Sequence, residues 1–287
     1  LNAADILAAQ GRTAYAAAFL EVARARHPES PELAARLLAL GPRPKRRVAF
    51  VGTPRSQSFL SDIVVGLGPS FEVRTAFTVE KAPLHNAIAW ADTVWIEWAD
   101  ELAVALTNEP KLFSGKAVVL RLHSYEAFSG YAKKLNLDVL SDVIFVAPHI
   151  RDIVCRQLPE LPKIRRIHLV PNGVNGERFP LSEHRHGFNL AFLGNINYKK
   201  GPMLLLHAFH ALHQKDARYT LHIGGAIQDE RYFHYFNQLG FELGLQGAIR
   251  FYGTIHDVPA WLATKDAILC TSVLEGHPVG LMECMAT

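Results

Sequence analysis

Two glutamates, Glu275 and Glu283, bracket the run Gly276-His277-Pro278-Val279-Gly280-Leu281-Met282. The small residues and the proline read as a tight turn that enters a helix at about Val279. Such a turn exposes backbone N–H groups at a helix N-terminus, where an anion such as a diphosphate is favoured. Inside the helix, Glu283 can accept from a pair of neighbouring hydroxyls, and a hydrogen bond to a charged group contributes about 1.5–3 kcal/mol. Glu275, ahead of the turn, is placed to hold a sugar. The alternative is that Glu275 caps the helix and Glu283 is a solvated helical residue.

A second run, Leu193-Gly194-Asn195-Ile196-Asn197-Tyr198-Lys199-Lys200-Gly201-Pro202, joins an apolar strand to a helix through a flexible loop. A lysine ammonium at position 200 would neutralise charge developing on a departing diphosphate; taken alone, Lys200 is an ordinary exposed lysine before a helix. A third run, Arg121-Leu122-His123-Ser124-Tyr125-Glu126, follows the apolar segment Ala117–Leu122. In open α/β sheets, a polar group at a strand's C-terminal end points into the ligand crevice. His123 is therefore a candidate ligand contact, with a satisfied loop histidine as the alternative, and Glu126 is a candidate for an acceptor hydroxyl. Gly52-Thr53-Pro54 follows a strand and lets backbone approach a ligand closely, but it does not fit G-x-G-x-x-G. Ile255, in Gly253-Thr254-Ile255, is a candidate for backbone contact with a nucleotide base. Trp90, Trp95, Trp98 and Trp261 read as core or interface residues rather than sugar platforms.

The spacing of Glu275 and Glu283, in a strand–loop–helix context, resembles the E-x7-E motif of the family 4 retaining glycosyltransferases. The resemblance runs from about Val48 to Thr287 and leaves out the N-terminal helices. It implies a GT-B fold, an α/β architecture of two facing Rossmann-like doubly wound domains. The implied reaction is retaining transfer of a sugar from a nucleoside-diphosphate sugar to a hydroxyl acceptor: a glycan, a lipid or a small molecule. By the same resemblance, Glu275 contacts the donor sugar, Glu283 binds the ribose hydroxyls and His123 contacts the sugar from the first domain. Lys200 matches the lysine of the family's G-R-x4-K-G pattern. Gly194, Gly276, His277, Pro278, Val279 and Gly280 complete the donor site, and Lys200 with the turn holds the leaving diphosphate while it assists the reaction. The family's arginine is replaced by Asn195, which donates a hydrogen bond but brings no charge and no bidentate fork; Lys199, or Arg55 of the first domain, is the candidate to replace that charge. No DxD-like motif ends a strand, so no metal or other cofactor is expected. An epimerase of sugar nucleotides on the same architecture is one rival reading. A catalytically weak binding or scaffold protein, suggested by Asn195 and the N-terminal helices, is another. Hydride-transfer enzymes rank last, lacking the glycine fingerprint.

The rest of the chain must position these residues. Its 287 residues, 49% hydrophobic and 20% charged, suit packed α/β domains rather than disorder. A net charge of +3 is too small to argue for nucleic acid, and the 14 histidines form no metal-ligand spacing. Cys155, Cys270 and Cys284 sit in apolar contexts and read as buried, reduced thiols of a cytoplasmic protein. No apolar run approaches the roughly 18 residues of a membrane span. The start has neither a basic leader nor an initiator methionine, so a fragment is expected. Three regions follow: an N-terminal helical extension at 1–42, an acceptor-side Rossmann-like domain at 43–182, and a nucleotide-sugar-binding Rossmann-like domain at 183–287, expected to be incomplete.

Within the extension, Tyr15, Phe19, Val22 and Arg26 keep helical spacing up to His27-Pro28, and Pro31–Leu40 makes a second helix ending at Gly41-Pro42. Continuous apolar runs predict parallel strands at 47–52, 71–77, 93–97, 117–122, 143–146 and 166–170. After the polar segment 171–187, read as a linker, strands are expected at 190–193, 219–223, 249–252 and 267–271. Helices alternate with them, one capped by Asp257 and the last starting at Val279.

Overall fold

The computed structural model describes residues 2–41, 45–179 and 187–287. Part of the expected linker, 180–186, and the helix stop at Pro42 lie outside the described residues. The chain divides into two compact units, Leu1–Val170 and Pro171–Thr287.

The first unit opens with α1 (Asn2–Ala9), α2 (Thr13–Arg26) and α3 (Pro31–Ala39). Gly11, at φ +72°, separates α1 from α2, so the extension has three helices rather than the expected two. Ser30 caps α3 by accepting from the Leu33 N–H. The buried stripe is Ala4, Ala16, Leu20 and Leu33. Tyr15, Phe19 and Val22, whose helical spacing α2 bears out, form a second stripe that is exposed. Both stripes have helical period, and the small alanine faces are the ones that let these helices approach.

Then follow β1 (Arg46–Gly52), α4 (Ser56–Leu67), β2 (Phe71–Phe77), α5 (Lys81–Trp90), β3 (Thr93–Glu97), α6 (Glu101–Thr107), β4 (Ala117–Leu122), α7 (Glu126–Ser129), β5 (Asp142–Phe145), α8 (Pro148–Gln157), α9 (Leu161–Ile164) and β6 (Arg166–Leu169). All six strands are parallel, in the order β2-β1-β3-β4-β5-β6. The apolar runs of β1 and β4 are buried on both faces, as a covered parallel sheet demands. Ala49, Val51, Val94, Ile96, Val118 and Leu120 pack on one face; Val48, Phe50 and Leu60 pack on the other with Trp95.

The second unit contains β7 (Asn189–Leu193), α10 (Pro202–His213), β8 (Thr220–Gly224), α11 (Glu230–Glu242), β9 (Ile249–Gly253), α12 (Val258–Leu262), β10 (Ala267–Ile268) and α13 (Val279–Ala286). Its sheet is also parallel, in the order β10-β7-β8-β9. Leu205, Leu206, Phe209, Leu221 and Ile223 form its core, and Asp257 caps α12 by accepting from the Ala260 N–H. The strand expected at 267–271 is shorter and less buried: only Ala267 and Ile268 pair, at the sheet's edge next to β7. Cys270 is exposed, and Cys155 and Cys284 are half-buried, in place of the buried thiols expected. All three are free.

Strand order decides where ligand-facing loops gather. Connections leave in opposite directions on either side of β1/β3 in the first sheet and of β7/β10 in the second. These are the switch points at which loops diverge and open a crevice beyond the strand ends.

Candidate functional site

In the second unit the loops after β7 and β10 meet at the switch point. Asn197 caps the short turn Tyr198–Lys200 by accepting from the Lys200 N–H. Gly201 then takes φ +62°, and a Cβ there would lie 2.3 Å from the Thr271 carbonyl oxygen. Only glycine fits both that conformation and that approach. Thr271 Oγ1 donates to the Lys200 carbonyl at 3.0 Å, fastening the loops together. The result is direct contact between Lys200 Nζ and Glu275 Oε1 at 2.5 Å. Burial pushes the Glu275 carboxyl upward, but hydrogen bonds from Lys200 and Ser272 and the nearby lysine charges outweigh it. Its pKa lies below the usual carboxylate value.

The turn between the glutamates is held from beneath. Buried Asn172 donates from Nδ2 to the His277 carbonyl at 2.9 Å, and Pro278 precedes the first turn of α13 in an extended conformation. Gly280 lies against the end of β7, a Cβ there coming within 3.4 Å of the Leu193 carbonyl oxygen. The N-terminus of α13 thus sits at the strand end from which the Gly194 loop leaves. Glu283 is raised above the ordinary carboxylate value by burial, with only the Arg178 charge opposing. Burial also pushes the Cys284 thiol up to about 12.

Asn195 is committed to the scaffold. Its Oδ1 accepts from the Ala226 N–H at 2.9 Å, while the Gly194 N–H donates to the Gly224 carbonyl and the Ile196 N–H to the Ala226 carbonyl. Gly225 permits this seam, since a Cβ there would lie 2.1 Å from the Gly194 carbonyl oxygen. Ile255 packs its side chain over Gly224.

In the first unit Gly52 ends β1, and a Cβ there would lie 2.4 Å from Ser56 Oγ. His123 follows β4, its ring held by Glu97 through Nε2 and Oε1 at 2.6 Å. Sequence reasoning missed Glu97, which is fully buried at the end of β3. A charged residue closing an otherwise apolar strand, Val94-Trp95-Ile96-Glu97, is the signal that marks it. Trp95 Nε1 donates to Glu97 Oε2 at 2.8 Å. Phe59 meets the imidazole edge-on at 5.0 Å and Trp98 lies 5.9 Å from it. Trp98 is the one non-glycine among the described residues with positive φ, +66°. Such backbone strain collects at sites where the surroundings enforce it.

Glu126, expected to reach an acceptor hydroxyl, is instead turned inward and fully buried. Its Oε1 accepts from the Ala99 N–H at 3.3 Å and its Oε2 from the His123 N–H at 3.1 Å. Burial raises its pKa. The physical reason is local: the loops after β3 and β4 leave two N–H groups without carbonyl partners, and this carboxylate satisfies both.

No curated protein matches the chain. Residues 177–287 match the family described as glycosyl transferases group 1. Among solved structures, the chain is similar to Anabaena HepE in complex with UDP and glucose. That similarity has a TM-score of 0.63 at 16% identity and covers 84% of this chain and 78% of that one. It is also similar to a glycosyltransferase from Rickettsia africae, with a TM-score of 0.58 at 16% identity over 84% of this chain and 77% of that one. For the lipopolysaccharide outer core galactosyltransferase WaaB in its apo form, the TM-score is 0.54 at 16% identity over 84% and 78%. Likeness at such low identity establishes the fold. The chain has the GT-B fold, and its residues 177–287 match the glycosyl transferases group 1 family.

Proposed function

We propose that the protein is a retaining glycosyltransferase of family 4 type, moving a sugar from a nucleoside-diphosphate sugar to a hydroxyl acceptor. The observation that carries this reading is the meeting of Lys200 with Glu275 beside the N-terminus of α13. A cation, a carboxylate and free helix N–H groups converge at the switch point of a parallel sheet, and that set suits a diphosphate bonded to a polyol. HepE, which shares the fold, was crystallised with UDP and glucose.

In this reading Lys200 and the N–H groups of Val279 and Gly280 hold the diphosphate, Glu275 holds the sugar and Glu283 takes the ribose hydroxyls. The bond from the anomeric carbon to the diphosphate oxygen breaks as the acceptor oxygen bonds to the same face of that carbon. The acceptor's proton passes to the departing diphosphate, which stays bound to Lys200. Charge stabilisation of the leaving group is the main catalytic contribution. The first unit is the acceptor-side domain, and no metal is required. The Asn195 seam favours a second reading, a binding protein of low activity, because its side chain is spent on Ala226 and supplies no charge.

Calorimetry with UDP, GDP and ADP tests the donor site, and the anomeric configuration of the product tests the stereochemistry. One nucleotide is expected to bind tightly, with Lys200→Ala weakening it about ten- to a hundredfold, as loss of a charged hydrogen bond predicts. Unchanged affinity in that variant would show the phosphate site to be misplaced. An inverted product would reject the retaining mechanism, and binding without turnover would favour the second reading.

A further inference from the structure

The buried cluster behind His123 carries more than a loop contact. Glu97 is entirely without solvent exposure, and both of its oxygens are engaged. Oε2 accepts from Trp95 Nε1 at 2.8 Å, and indole nitrogen can only donate. Oε1 lies 2.6 Å from His123 Nε2 and 3.7 Å from Arg121 Nη1. With an arginine this close and both oxygens facing donors, Glu97 is placed as a carboxylate that accepts at each oxygen. The ring nitrogen facing it must therefore carry the proton. In a neutral imidazole so placed, Nδ1 is the unprotonated nitrogen, and Nδ1 has no hydrogen-bond partner among the described residues. Phe59 and Trp98 pack against the ring, while the backbone N–H of His123 is tied to the second buried carboxylate, Glu126. Main chain and imidazole are thus anchored separately.

We infer that Glu97 is a positioning residue that holds His123 as its Nε2–H tautomer and presents Nδ1 as a hydrogen-bond acceptor to the substrate. An acceptor nitrogen pairs with a hydroxyl or N–H and repels a phosphate or carboxylate oxygen. This corner of the first unit therefore selects a neutral, hydroxyl-bearing part of the substrate. The assignment of that substrate as a sugar nucleotide with a hydroxyl acceptor rests on the proposed function; the tautomer does not.

The test is nitrogen-15 NMR of the full chain labelled at histidine, with His123 assigned by the signal lost in His123→Gln. Near neutral pH the ring is expected to show a protonated Nε2 and an unprotonated Nδ1. The isosteric Glu97→Gln variant is expected to reverse this. Its single carbonyl oxygen must serve the Trp95 N–H, leaving its NH2 group facing His123 Nε2, which then has to accept. A wild-type ring protonated at Nδ1, or a Glu97→Gln variant that keeps the Nε2–H form, overturns the inference. Should Glu97→Gln fail to fold, Trp95→Phe retains the carboxylate and is expected to keep the Nε2–H tautomer; an Nδ1–H ring there also overturns it. In turnover of a sugar nucleotide, Glu97→Gln should lower kcat at least about tenfold and change the donor KM much less. Absence of turnover in the wild type would reject the proposed function while the NMR result still decides the tautomer.

Discussion

Lys200 and Glu275 are 75 positions apart in the chain and in contact in the fold, whereas Glu283, in the second turn of α13, has only the charge of Arg178 to oppose its burial. The two carboxylates are accordingly shifted in opposite directions. The sign of each shift has consequences for pH. Glu275, held below its ordinary value, contributes stability that is present above the unfolded carboxylate pKa and is lost as pH falls through its folded pKa. Glu283, raised by burial, binds its proton more tightly in the folded chain, so its contribution to stability is lost as pH rises through its folded pKa. Ribose hydroxyls donating to Glu283 would stabilise the charged form. Nucleotide binding is therefore expected to release a proton, and affinity should rise with pH across the titration of Glu283 and then level off. Calorimetry in buffers of different ionisation enthalpy reads that proton directly, and Glu283→Gln should abolish the release. A pH-independent affinity in the wild type would remove Glu283 from the ligand.

Among elements, the loop from β7 to α10 is tightly constrained where it enters the helix. Its last residue, Gly201, is in the left-handed region and packed on the Thr271 carbonyl. Gly201→Ala introduces about 1–2 kcal/mol of backbone strain from the positive φ alone, and the added carbon must also push β10's loop away. The expected result is a folded protein of lower melting temperature whose nucleotide affinity falls at least about tenfold, because Lys200 and Glu275 are carried on the two displaced segments. Calorimetry alongside thermal denaturation checks this; unchanged binding would mean that the junction does not set the geometry of the pair. At the ends of β3 and β4, Glu126 serves a similar purpose with a side chain, joining two loops through backbone N–H groups.

The whole molecule comprises two units, each built on its own sheet and core. A ligand stabilises what it binds, by about 2.7 kcal/mol at a hundred times its dissociation constant. The cognate nucleoside diphosphate is thus expected to raise the unfolding midpoint of the second unit more than that of the first. Hydrogen exchange resolved by peptide measures this, with α10 and β7 as reporters of one core and β4 and β5 of the other. Equal protection of both cores would show that the two units unfold as one cooperative body. None of the helices among the described residues is long and apolar enough to cross a membrane.

Parallel strands were legible because residues covered on both faces must be apolar without interruption, and β3 and β4 fall where such runs predict them. Helix starts were legible too, at Asp257 and at Pro202 after Gly201, because caps and prolines act over a few residues. The sequence by itself also named Glu275, Lys200, Glu283 and His123 as chemically capable groups in the loops and helix start that follow strands. Periodicity found α2 but not which of its two stripes is buried, and it overran where an apolar run lies at a sheet edge, as after β10. Tertiary structure alone decided which groups meet. Strand order brings the β7 and β10 loops together and so pairs Lys200 with Glu275, while the register of β3 on β4, with Glu97 opposite Arg121, brings Glu97 to His123. Local patterns record whether a residue is covered, but a partner distant in sequence is set by crossover connections and register, which no short stretch of chain encodes.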